Sequence, residues 1–154
     1  MSEDNSPILL RLKSEEQEYK FFLFVISIYN LKTFGGTFDP ANHSEEFLKA
    51  FNFKEYNKLL IKFSLDDSND SICEISVFQT VLLLTMVDSI AKELLSNDAD
   101  SFKLIVSTNF ENIQTDWDSI FFKSAQNIFE MYKERFQKFP KLIKLIDDII
   151  NKFN

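Results

Sequence analysis

Apolar residues return every three or four positions along most of this chain, the spacing of helices that bury one flank. From about 15 to 33, Tyr19, Phe22, Leu23, Ile26 and Tyr29 keep that step. Phe21, Phe24, Val25 and Ile28 extend the apolar surface around the rest of the circumference. Ser14 and Gln17 have capping-box spacing at its start, and Glu15, Glu16 and Glu18 put negative charge at the positive end of the helix dipole. The aromatic and β-branched content of 21–29 also suits a buried strand, so the pattern leaves that alternative open. Gly35-Gly36 ends the segment, and a loop follows through Asp39-Pro40 to His43.

A second helix is expected over about 45–64, with Ser44 as its N-cap. It buries Phe47, Leu48, Phe51, Tyr56, Leu59, Leu60 and Phe63 and turns Lys49, Lys54, Lys58 and Lys62 outward. The run Asp66-Asp67-Ser68-Asn69-Asp70 forms a turn, and Ser71 with Glu74 repeats the capping-box spacing. The helix expected from about 72 to 96 has two apolar stripes, one through Ile75, Phe78, Leu82, Met86 and Ile90, the other through Val77, Val81, Leu84, Ala91 and Leu95. Residues 101–112 group Phe102, Ile105, Val106 and Phe110 on a short helix, although 102–106 also reads as a strand. Thr115 and Asp118 look like a further cap. They precede a long helix aligning Trp117, Phe121, Ala125, Ile128, Tyr132, Phe136 and Phe139, which Pro140 breaks or caps. The last helix, about 141–153, aligns Leu142, Leu145, Ile146, Ile149, Ile150 and Phe153.

This pattern predicts an all-α fold: a single-domain antiparallel bundle of five or six helices. Its central members are the segments at about 15–33 and 72–96, because both are apolar on two sides. Residues 14–154 form the bundle. Residues 1–13, where Ile8, Leu9, Leu10 and Leu12 follow Pro7, form an N-terminal arm that is either a short helix or extended.

Composition narrows the function classes. With 154 residues the chain has the length of one domain, and its single cysteine, Cys73, excludes an intramolecular disulfide framework. The opening residues are acidic where a secretory signal would be basic, and neither long apolar run is free of polar residues over a bilayer's span, so a soluble cytoplasmic protein is expected. Eighteen Phe against two Gly and three Pro follow AT-biased coding rather than an aromatic binding surface.

The net charge of −7 opposes nucleic acid and anionic membrane as partners. That charge is uneven. Residues 66–118 hold eleven acidic and two basic groups, whereas 119–154 hold seven basic and four acidic. Internal neutralisation by the last helices is one account. The other is an acidic surface for a basic protein partner, with Asp66, Asp67, Asp70, Asp98, Asp100, Asp116 and Asp118 as candidate residues.

Chemistry-bearing motifs are sparse. His43 is the only histidine, and with Asp39 it makes a weak polar site near the 35–43 loop. Cys73 has no second cysteine to share a metal, and Asp66, Ser68 and Asp70 begin a calcium loop whose required Gly and Glu positions hold Ser71 and Val77. No cofactor is expected. The expected function is a non-enzymatic protein–protein interaction module, inhibitor- or immunity-like in size, acidity and helicity. The alternative is a small-ligand-binding bundle or enzyme with its site near the 35–43 loop. A homodimer is the other partner considered: Ile143 and Phe53 are apolar on otherwise polar helix faces and would mark an oligomer surface if they met in one patch.

Overall fold

The computed structural model describes residues 7–13, 16–34, 53–64 and 72–153. Among them the chain is mostly helical. The elements in chain order are β1 (Ile8–Lys13), α1 (Gln17–Phe34), α2 (Phe53–Ser64), β2 (Ile72–Ser76), α3 (Val77–Leu94), α4 (Ala99–Asn109), α5 (Trp117–Arg135) and α6 (Pro140–Asn151). Contacts gather into two compact units, Met1–Leu83 and Leu84–Asn154, and the division falls inside α3.

The first unit contains a feature that helical periodicity does not predict. β1 and β2 pair antiparallel, with Leu12 opposite Cys73 and Leu10 opposite Ile75, and the register shifts between Ile8 and Leu10. Leu10, Leu12, Cys73 and Ile75 are buried, while Arg11, Lys13, Ile72 and Glu74 are exposed, so the ribbon is dry on one face and wet on the other. The ribbon continues into α3, whose first amide, Val77 N, donates to Pro7 O at 3.0 Å. The arm's described part is therefore extended. The helix expected from 72 starts at Val77, and Glu74 lies in a strand, where it cannot close a cap with Ser71.

A two-stranded ribbon is marginal alone and needs helices against its dry face. α1 supplies Tyr19, Phe21, Phe22, Val25, Ile26 and Ile28 to the buried set, and α2 supplies Tyr56, Leu59 and Phe63. Residues 21–29 are helical despite their β-branched and aromatic content. Tyr19 stacks on Phe63 at 5.0 Å, and its hydroxyl donates to Phe63 O at 3.1 Å, which joins α1 to the end of α2. Leu23, expected in the buried stripe, is 39% exposed.

The second unit holds helices joined by turns, with no strand among its described residues. α3 contributes Leu84, Met86, Val87, Ile90, Ala91 and Leu94 to the core, whereas Leu95, expected in a stripe, lies past the helix end and is exposed. Residues 102–106 are helical, not extended. After α4, Asn112 takes a left-handed backbone (φ 65°), a conformation asparagine tolerates better than most residues.

α5 buries Trp117, Phe121, Ala125, Ile128, Phe129 and Tyr132, and Phe136 is buried just beyond it. Pro140 occupies the first turn of α6, where its missing N–H costs no hydrogen bond. α6 packs against α5 through Leu142, Ile146, Ile149 and Ile150 as its buried stripe, and Lys133 Nζ meets Asp147 Oδ1 at 2.7 Å. The hydrogen bond from Lys133 to Asp147 holds that ammonium above its ordinary range. No described helix is long and apolar enough to cross a membrane.

Candidate acidic surface and buried polar cluster

The candidate acids separate by where the backbone puts them. Asp66, Asp67 and Asp70 lie outside the described residues, as do Asp39 and His43. The other four sit at two helix starts. Asp98 is the N-cap residue of α4 with Asp100 in its first turn. Asp116 is the N-cap residue of α5 with Asp118 in its first turn. Neither N-cap side chain hydrogen-bonds to its helix, and the N-cap position of α5 falls to Asp116 instead of the expected Thr115. A carboxylate in this position gains about 0.3–1 kcal/mol from the helix dipole without a direct bond, and that accounts for part of the acidic bias of 98–118.

The two helix starts are neighbours. Phe102 and Trp117 meet edge to face at 6.2 Å, and Lys103 Nζ reaches Asp118 Oδ2 at 3.2 Å. This pairing neutralises Asp118. Asp98, Asp100 and Asp116 are exposed and form no ion pair with another described residue. Elsewhere in 66–118, Glu74 pairs with Arg11 at 3.1 Å, and Asp88 receives both Lys92 at 3.1 Å and Lys152 at 2.6 Å. Lys152 comes from the basic C-terminal segment, so internal neutralisation consumes some of these acids and leaves others.

α4 has an unusual outward face. Its inward side is occupied by Phe102 and Val106, both buried, while Leu104 is 68% and Ile105 50% exposed. Sequence spacing groups Ile105 with Phe102 and Val106 as one core stripe, and the structure turns it to solvent instead. Ile105 stands on the flank of the helix, where a shift of one position in the inward direction removes it from the core. The proposed Ile143 and Phe53 patch has no such support: Ile143 is half-buried, and the Phe53 side chain is outside the described set.

A buried polar cluster in the first unit escaped the hydrophobic pattern. Gln79 accepts from Ser76 N at 3.1 Å and from Lys62 Nζ at 2.8 Å. Its own Nε2 donates to Glu55 Oε2 at 3.4 Å. Glu55 is only 2% exposed and has Lys58 Nζ at 3.5 Å. Lys62 also donates to Glu74 O, so the cluster links α2, β2 and the first turn of α3. The signal was present, since Ser76-Val77-Phe78-Gln79 has capping-box spacing immediately before an apolar run. Nearby on α1 and α2, Tyr56 donates to Asn30 Oδ1 at 2.9 Å. Burial first, then the neighbouring Tyr29, pushes the Tyr56 phenol upward; burial also raises Tyr29, against a hydrogen bond with Thr33.

Cys73 lies on β2, and its Sγ lies 3.9 Å from Lys62 O. Among the described residues, no three His, Cys, Asp or Glu side chains come together as a metal site. A shallow groove along α5 is lined by Glu130, Met131, Lys133, Glu134 and Gln137, and charged side chains dominate it. No protein-family model matches this chain, and neither a curated protein nor a solved structure is significantly similar to it.

Proposed function

We propose that this protein is a non-enzymatic interaction module whose acidic surface, from the 66–118 region, recognises a basic protein. The observation that carries this reading is the contrast among its acids: Asp118, Asp88 and Glu74 are matched by lysine or arginine, while Asp98, Asp100 and Asp116 stand exposed around two adjoining helix starts with no described cation against them. Unmatched surface charge raises encounter rates with an oppositely charged partner and suppresses wrong partners, at the cost of self-repulsion in the folded chain.

The test is affinity capture from soluble extract of the native host at low and high salt, with wild type beside the triple variant Asp98→Asn/Asp100→Asn/Asp116→Asn. A basic protein retained by wild type at low salt, released at high salt and not retained by the variant supports the proposal. Equal retention by both proteins at both salt levels defeats it.

A further inference from the structure

We infer that the outward face of α4 is where such a partner docks. In this arrangement Leu104 and Ile105 receive the apolar stripe of a basic amphipathic helix, whose lysines or arginines meet Asp98, Asp100 and Asp116. The inference rests on the acidic-surface proposal and adds to it an apolar centre and the partner's shape.

Three observations converge on this face. The first is exposure without internal cause: Phe102 and Val106 already satisfy the inward side of α4, yet Leu104 and Ile105 remain half or more in solvent. The second is the dryness of their surroundings. Ser101, Leu104, Ile105 and Thr108 share the outward arc, and none is charged, in a chain that is 27% charged. Thr108 Oγ1 donates to Leu104 O and Asn109 Nδ2 to Ile105 O, each at 2.8 Å, so these polar groups are turned back onto their own helix. Covering this face therefore strands few hydrogen-bonding groups.

The third observation is charge. Asp100 stands one turn before Leu104 on the same side, Asp98 is the N-cap residue of α4, and Asp116 is the N-cap residue of α5, whose start adjoins that of α4 through Phe102 and Trp117. An apolar centre bordered by charge is the usual anatomy of a recognition site. A second copy of this chain fits poorly, because it would bring two acidic borders together in a molecule of net charge −7. A basic helix fits on both counts, since an exposed helix accepts another helix by ridge-and-groove packing.

The probe is a fluorescein-labelled peptide of leucine and lysine in amphipathic helical order, followed by anisotropy against the full chain. A peptide of identical composition in shuffled order is the comparison. Wild type binds the ordered peptide more tightly than the shuffled one. Leu104→Ser/Ile105→Ser weakens ordered-peptide binding at least tenfold, Leu104→Lys abolishes it, and Leu23→Ser, at an exposed leucine on α1, leaves it unchanged. Unchanged far-ultraviolet circular dichroism establishes that each variant is folded. If the Asp98, Asp100 and Asp116 triple variant loses binding while Leu104→Ser/Ile105→Ser binds like wild type, the apolar docking site is refuted and the acidic surface stands. If wild type does not bind the ordered peptide, or neither set of variants changes binding, both fall. A dimeric mass in light scattering that Leu104→Ser/Ile105→Ser makes monomeric would assign the face to a second copy and overturn the inference.

Discussion

Ser76 and Gln79 cap each other: the Gln79 amide donates to Ser76 Oγ at 3.1 Å, and the Ser76 amide donates to Gln79 Oε1 at the same distance. This reciprocal pair ends β2 and starts α3 within four residues, and the Gln79 carboxamide then extends the bond network to Glu55 and Lys62.

Because one side chain serves both tasks, Gln79→Ala is expected to cost more than Ser76→Ala. Loss of the Ser76 hydroxyl costs about 1–2 kcal/mol, the range of a lost N-cap. Loss of Gln79 also removes buried partners of a carboxylate and an ammonium, which adds about 1–3 kcal/mol. Urea unfolding of both single variants and the double variant measures this, and the double should fall short of the sum. Strict additivity would show that the two groups do not act together.

Alkaline pH should destabilise the first unit. The Tyr56 phenol, and to a lesser degree Tyr29, resists ionisation in the folded chain, so the proton is held more tightly there than in the unfolded chain. Below about pH 10 both states are protonated and this contribution is fully present; above it the unfolded state ionises first and stability falls as pH rises. Phenolate absorbance of Tyr56 should therefore appear together with unfolding. Tyr56→Phe should flatten the decline above pH 10, while losing the hydrogen bond to Asn30 at lower pH. A decline of the same slope in Tyr56→Phe would remove Tyr56 from the explanation.

Cys73 is buried on the ribbon's dry face. A thiol-specific chromogenic reagent should react with it slowly in native protein and rapidly in urea, the ratio reporting how often the ribbon opens. Immediate reaction under native conditions would contradict its burial.

The outward face of α4 and the buried face of α5 should respond differently to mutation. Leu104→Ser is expected to change stability by less than about 0.5 kcal/mol, as surface substitutions usually do. Phe129→Ala in α5, at a side chain with no exposure, should cost about 3–5 kcal/mol. Emission of Trp117, the only tryptophan and itself buried, follows unfolding of both variants. A large loss in Leu104→Ser would mean that this residue already has a partner within the chain.

The helices were legible because each carries its own evidence. Trp117, Phe121, Ala125, Ile128 and Tyr132 repeat at helical steps and are all buried, and Leu142, Ile146, Ile149 and Ile150 do the same in α6. β2 was not legible. Its buried apolar residues, Cys73 and Ile75, alternate, but the exposed Ile72 beside them hides the alternation, and its hydrogen-bonding partner lies far away in sequence. The acidic candidates at 98–118 were visible as composition, but that Asp118 is the one neutralised depends on where the fold brings Lys103 of α4. Leu104 and Ile105 were obscured for a simpler reason: residue type alone does not distinguish an apolar side chain in the core from one exposed to solvent.

Lys13 finds its strand partner at Ile72, across the whole of α1 and α2. Closing so wide a loop is entropically slow in a chain whose other contacts are mostly local, which makes the ribbon a late stitch in folding. Trimming the leading residues as far as Lys13 would not shorten an idle tail. It would unzip the stitch and bare one edge of Ile72–Ser76 to strand exchange between molecules.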